Sequence, residues 1–569
     1  MEKKNIALIV LVIALIGSGV GNIVLVIMGS VEVPPDLNVL RYADTEGGAP
    51  AVLDPVDSWD SVSNDVIRHV CDNLWYYDLY DPDFALEMRL ATSYEYNTAK
   101  DEVNVLLREG VYFHDGSYFN ATAVKFTFDR ILYFINATGT MPNTSRPCDP
   151  ASLFFNMKSV PILNKTVINS EFNITFFLNA PNAIFIPLLS YDAWAILHPD
   201  STPATEFLEL GTDVLIGTGP FKYGHFISGE EMKFVRNENY WGPTVFWDEV
   251  IWVYYPDSVT AANAMLGGEV DAGGLLTSMI DLFIDDPDII FTNLNTSTIY
   301  RYFGLNNNKI NKTLVRKAIC YAFNYSYYIN VIRRGYGIRA HQMLPPGFPY
   351  YNASFKAPEM DVSVARAAMI AAEPVKTAAA GVTDADVGVS ATNDAAWAGL
   401  TLFTYKILEH EGWSTGIDMN IAFASDMARV GIKVVSDVMD WETYIYVSSY
   451  DEDRLEIFHT GWGPDYLDPF NMVAPLLSNT STANHIQNKD PEIMAWLDAY
   501  EQETVEAEKA KLLWKIQNRV FNEEYMELAV QYDMVMAVYH KSVGNPCFNI
   551  QRNLWFRDSY FIPGVPQAS

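Results

Sequence analysis

Cysteine is scarce in this 569-residue chain: Cys71, Cys148, Cys320 and Cys547 are the four, none in a Cys-x-x-Cys pair or at metal-ligand spacing from a histidine. That excludes a zinc or dithiol redox motif. The four read as small core residues, with two disulfides the alternative in an oxidising compartment. Basic residues are also short, since 38 Lys plus Arg face 70 Asp plus Glu, and the net charge of −32 repels phosphate backbones. Nucleic acid is therefore not an expected partner. Missing as well are His-Glu-x-x-His, the phosphate-binding Gly-x-x-x-x-Gly-Lys-Ser/Thr and Gly-x-Ser-x-Gly. The glycine cluster Gly17, Gly19 and Gly21 lies inside an apolar run, where glycines pack rather than cradle phosphate, and nine scattered histidines form no triad. No catalytic residue, cofactor or metal is expected. Hydrolysis by a carboxylate pair stays open on the residues alone, because 70 acids always offer some pair.

What is present is apolar and aromatic. Hydrophobic residues make up 49% of the chain and charged ones 19%, with 33 Tyr, 31 Phe and 13 Trp, which excludes disorder. At about 150 residues per domain, the length implies two to four domains. Lys3 and Lys4 precede an uncharged run from Ile6 to Met28, and acids return at Glu32 and Asp36. As a helix that run rises roughly 34 Å, enough for a hydrocarbon core of about 30 Å. Residues 1–30 are expected to be a membrane anchor, with a cleaved signal peptide the alternative, although no clean small-x-small site precedes Ser30. Lysines before the span and acids after it put residues 31–569 on the extracellular side of the cell membrane. Ten Asn-x-Ser/Thr sequons, beginning at Asn120, Asn136, Asn143, Asn164, Asn173, Asn295, Asn311, Asn324, Asn352 and Asn479, agree with an exported glycoprotein.

After a linker at 31–36, strand and helix patterns alternate, which predicts an α/β body. Strands are expected at Leu37–Ala43, Val103–Leu107, Val250–Tyr255 and Thr298–Asn306, and hairpins at Thr166–Leu178 and Phe221–Val235. Helices are expected within Ser58–Trp75, after Asn120, over Val259–Leu266, as one long element from Lys312 to about Arg333, and across Ile493–Glu524. Ala357–Ala396 reads as two surface helices and a loop, and Met534–Tyr539 as a strand.

Four segments are more specific. The first runs Leu106-Leu107-Arg108-Glu109-Gly110-Val111-Tyr112-Phe113-His114-Asp115-Gly116, then Phe119-Asn120 into a helix ending Phe126-Thr127-Phe128-Asp129-Arg130. Phe126 and Phe128 cannot both face one core, so this helix should lie on an interface. The second is Gly217-Thr218-Gly219-Pro220-Phe221 leading to Tyr240-Trp241-Gly242. The third runs from Tyr302-Phe303-Gly304-Leu305-Asn306 to Ala322-Phe323-Asn324, and the fourth is Gly461-Trp462-Gly463-Pro464-Asp465-Tyr466-Leu467-Asp468-Pro469. Together with Leu53-Asp54-Pro55 they resemble the family 5 extracytoplasmic solute-binding proteins of ABC transporters, the oligopeptide, dipeptide and nickel receptors. The resemblance covers about residues 37–545, and Ala357–Ala396 departs from it.

The resemblance implies a two-lobed, periplasmic-binding-protein-like fold of type II, class C: an α/β hinged trap with mixed sheets, here preceded by one N-terminal transmembrane helix. Lobe one would comprise 37–298 plus 531–569 and lobe two 299–530, with crossing strands near Tyr300–Asn306 and Val530–Met536 as hinge. It further implies a monomeric receptor, not an enzyme, that captures a solute, a peptide before others, and delivers it to a permease and its ATPase. In peptide-binding relatives the aspartate of the Trp-x-x-Asp loop holds the ligand's amino group, which corresponds to Asp465. Trp462 and Tyr466 of that loop, and Tyr77 after the first helix, complete the expected ligand-binding set. Asp468 before Pro469 reads as a turn former. Arg333, Arg334, Arg339 and His341 read as a solvated helix end, with a ligand carboxylate the alternative. A membrane-anchored sensor on the same fold, or an extracellular hydrolase, is the rival function.

Overall fold

The computed structural model describes residues 37–44, 50–78, 85–137, 148–274, 277–411, 414–451, 453–503, 505–545 and 556–562. The run Ile6–Met28, the linker 31–36 and Cys547 lie outside them, so the membrane anchor expected there does too. Among the described residues no helix is long and apolar enough to cross a membrane.

Two unusually long strands organise the molecule. Ile289–Leu305 has 17 residues and Glu527–His540 has 14, lengths of roughly 45–55 Å at about 3.3 Å per residue. They pair antiparallel from Ile289 opposite His540 to Gly304 opposite Glu527, with three irregularities in register. On one side of them lie Ile457–Trp462, Phe403–His410 and Ile432–Met439; on the other lie Ala272–Gly273, Val39–Asp44, Glu249–Tyr254, Glu231–Arg236 and Phe221–Ile227. The sheet is mixed: Val39–Asp44 runs parallel to Glu249–Tyr254, and Phe403–His410 parallel to Ile432–Met439. A separate four-stranded sheet joins Ala91–Tyr96, Glu102–Leu107, Asn173–Leu178 and Leu163–Ser170.

Each side has its own core. Leu40, Val66, Phe234, Trp247 and Trp252 are buried together at one end, and Phe303, Ile319, Phe423 and Ile457 at the other. A third core runs from Val103 and Phe176 of the four-stranded sheet and Phe128 of the helix Ala121–Phe134 through to Tyr466, Phe470 and Leu513. The helix Ala121–Phe134 lies between cores as its two phenylalanines require: Phe128 is buried in the third core, and Phe126 packs against the first. Cys71, Cys148 and Cys320 are all buried.

The family-like motifs turn out to hold the frame. Arg130, one turn before the end of that helix, forms a forked ion pair with Asp54 of Leu-Asp-Pro, donating to Oδ1 at 2.8 Å and also to Oδ2. Both side chains are 1% exposed, and Arg130 also donates to the carbonyls of Pro203 and Glu206 at 2.7 Å. Gly217 and Gly219 press against the end of the helix Ser61–Val70, where a Cβ would meet Val70 backbone atoms at 2.1 and 2.6 Å. No other residue fits that approach. Thr218 and Trp241, one from each half of the second motif, converge on Asp72 Oδ2 at 3.0 and 2.9 Å.

Two expected elements differ. The long helix from Lys312 is two pieces, Thr313–Ala322 and the turns Tyr325–Ile332, because Asn324 breaks it: its side chain accepts from the Tyr327 N–H at 2.9 Å as a new N-cap. Ala357–Ala396 holds three helices rather than two, Val362–Ala372, Pro374–Ala379 and Ala391–Ala398, the extra one opened by Pro374 at its first turn.

Candidate functional site

Trp462 ends the strand Ile457–Trp462, opposite Tyr300 of the long strand, and the chain then turns through Gly463 and Pro464 to Asp465. Asn471, fully buried, shapes this loop. Its side-chain oxygen accepts from the Asp465 N–H at 2.7 Å, its amide donates to Asp465 Oδ2 at 3.0 Å, and its carbonyl accepts from Trp462 Nε1 at 2.8 Å. One asparagine thus orients both the aspartate and the tryptophan. Asp468 behaves as the turn former expected of it, accepting from the Phe470 N–H at 2.8 Å.

The second carboxylate oxygen of Asp465 accepts from Trp59 Nε1 at 3.0 Å, and the rings of Trp59 and Trp462 meet edge to face at 6.3 Å. Both donors to Asp465 are neutral, and among the described residues no lysine or arginine pairs with it. Burial without a counter-charge pushes its carboxyl up to about 7, the bonds from Asn471 and Trp59 pulling partly the other way. The result is a preorganised, half-buried acid with unused lone pairs. A ligand ammonium is the chemistry such a group accepts most readily.

The remaining expected residues are placed as follows. Tyr466 is only 3% exposed and lies in the core; burial and then the charge of Asp468 hold its phenol far above the usual range. Tyr77, half-buried on the short strand Trp75–Tyr77, feels the charge of the same Asp468, so it lies beside the loop. Of the basic cluster, Arg334 pairs with Asp281, Arg333 lies 3.6 Å from Asp533, and Arg339 stacks over Tyr325 at 3.8 Å while donating to backbone carbonyls. His341 is pushed down to about 4 by burial. A cavity of about 790 Å³ is lined by Asp281, Tyr327, Arg334, Asp418 and Asp426, and none of the four expected ligand residues borders it. Sequence reasoning missed Trp59 and Asn471. The first had a signal in its position four residues after Pro55 of Leu-Asp-Pro; a lone asparagine in a loop had none.

Two halves joined by long shared strands, with a charged and aromatic loop where they meet, define a two-lobed binding protein of the periplasmic type. The chain belongs to the bacterial extracellular solute-binding proteins, family 5, whose family model matches residues 85–484. It is 25% identical over 442 residues to the glutathione-binding protein GsiB of Pectobacterium atrosepticum, covering 75% of this chain and 76% of that one. It is likewise 25% identical to heme-binding protein A of Haemophilus influenzae, over 77% of each chain. In fold it is similar to the periplasmic binding protein DppA of Helicobacter pylori in complex with the peptide STSA, with a TM-score of 0.76 at 22% identity, covering 92% of this chain and 98% of that one. It is accordingly an extracytoplasmic solute-binding receptor.

Proposed function

We propose that this receptor captures a peptide between lobe one, 37–298 with 531–569, and lobe two, 299–530, and delivers it to an ABC transporter permease and its ATPase. The observation that carries the reading is the Asp465 carboxylate, held by two neutral donors and, among the described residues, paired with no lysine or arginine. Glutathione and the peptide STSA, named with two relatives, both fit an amine-anchored ligand; heme, named with a third, shows how far ligand chemistry ranges. Trp462 and Tyr77 line the path to Asp465, and Tyr466 serves from beneath. The crossing strands near 300–306 and 530–536 act as hinge, so that a ligand touching both lobes favours the closed form. The run Ile6–Met28 tethers a monomer beside its permease and raises its effective concentration there. The receptor binds its solute without altering it.

Native mass spectrometry of the full chain with a library of di- to decapeptides tests this. Intact peptides should be retained by the wild type and lost in Asp465→Ala. Retention of sugars or metal chelates in place of peptides would refute the peptide assignment, and peptides returned cleaved would replace a receptor with a hydrolase.

A further inference from the structure

Trp59 reaches the loop from a segment 406 residues away in sequence from its partner Asp465. It stands between the turn Pro55–Asp57 and the helix Ser61–Val70, and a buried hydrogen-bond ring fixes its backbone on both sides. Ser58 Oγ donates to Asn64 Oδ1 at 2.8 Å, Asn64 Nδ2 donates to Tyr191 Oη at 3.1 Å, and Tyr191 donates to the Ser58 carbonyl at 3.0 Å. On the other side Asp60 caps the helix through the Ser63 N–H at 2.9 Å. Such bracing removes the freedom of the residue between. Its indole N–H is thereby aimed at Asp465 Oδ1, and its ring at the edge of Trp462.

We propose that Trp59 is the lobe-one half of the amine site, a positioning residue that holds the ionised Asp465 carboxylate in place and ties that carboxylate's occupation to lobe closure. The proposal rests on the two-lobed division given above. Asp465 would otherwise be oriented by lobe two alone, through Asn471; with Trp59 bonded to its other oxygen, the carboxylate is fully formed only when the lobes meet. The indole is a donor only, so it bonds the charged acid more strongly than the protonated one. Among the described residues Tyr191 and Tyr466 feel the charge of Asp465; Asp60 and Asp192 stand beside Tyr191, Asp468 and Glu501 beside Tyr466, and the one cation nearby, Lys509, acts on Asp468 rather than on Asp465. None supplies the missing positive charge, which leaves that role to the ligand.

The test needs no ligand and so fails or succeeds apart from the peptide assignment. In the full-length protein, the indole ¹H–¹⁵N resonance that vanishes in Trp59→Phe should titrate with a midpoint near 7, the value to which burial pushes Asp465. In Asp465→Asn the same resonance should be insensitive between pH 5 and 9. Solution scattering supplies the closure half: Trp59→Phe, Asp465→Leu, which removes the acceptor, and the double variant should increase the radius of gyration equally, because all three break the one Trp59–Asp465 bond. A Trp59 resonance that ignores pH in the wild type, or titrates unchanged in Asp465→Asn, overturns the proposal. Additive expansion in the double variant, or none in any variant, overturns the link to closure.

Discussion

A carboxylate is most useful to a receptor when it is desolvated but not yet paired, and Asp465 is in that state. Its ordinary value of 3.8 is pushed up to about 7, so at neutral pH the empty site is divided between acid and carboxylate. An ammonium ligand binds only the carboxylate, so binding below pH 7 must first expel a proton. The sign for folding is opposite: an acid raised in the folded state costs stability as pH rises from 3.8 to 7, and gains none above. Peptide affinity should therefore weaken towards tenfold per unit as pH falls below about 7, and fall again above about 8 as the ligand's α-amine discharges. Calorimetric titration in buffers of different ionisation enthalpy should show proton release near pH 6, and Asp465→Asn should abolish the acid limb. At this scale the loop was partly legible. Asp465 and Trp462 could be named as candidates, and Asp468 as a turn former, from Trp-Gly-Pro-Asp-Tyr-Leu-Asp-Pro and its resemblance, whereas Trp59 left only its position after Leu-Asp-Pro as a signal and Asn471 none, since both act through contacts that only the fold creates.

Among the elements, the motifs with the greatest sequence specificity hold the frame together rather than the ligand. The helix Ala121–Phe134 delivers Arg130 to Asp54, sealed at 1% exposure each, and Gly217 and Gly219 let a loop lie flat on the end of the helix Ser61–Val70. Removing one partner of a buried pair strands the other charge, which costs about 3–5 kcal/mol, whereas replacing both by apolar side chains of similar volume is far milder. Arg130→Ala should thus lower the thermal midpoint strongly, and Arg130→Met with Asp54→Leu should recover much of the loss. Equal losses in the single and double variants would show that the hydrogen bonds to Pro203 and Glu206 matter more than the ion pair. Hairpins, amphipathic helices and the 534–539 strand were legible because each carries its own periodicity. The break at Asn324 was not, because apolar spacing continues across it and only the side-chain cap shows that the chain has turned.

Over the whole molecule, groups far apart in sequence meet, and one such meeting forms, on the proposed lobe division, a clasp independent of Asp465. Glu501, on the helix Pro491–Gln502, accepts from the Met157 N–H and from Asn182 Nδ2, each at 3.0 Å, and its neighbour Asp498 meets Lys158 at 3.1 Å. In the proposed division these contacts join lobe two to lobe one. Glu501 is 4% exposed, and burial raises its carboxyl from the ordinary 4.5, so the bond is made in a dry setting where a lost acceptor is felt. A contact present only in the closed form contributes to ligand retention without contributing to the stability of the open form. Glu501→Ala should then speed peptide release and weaken affinity about tenfold, expand the ligand-bound protein in solution scattering, and leave the thermal midpoint of the empty protein nearly unchanged. If the midpoint of the empty protein falls while affinity holds, the clasp persists in the open form, and Glu501 belongs to the fixed frame beside the long strands rather than to the moving rim.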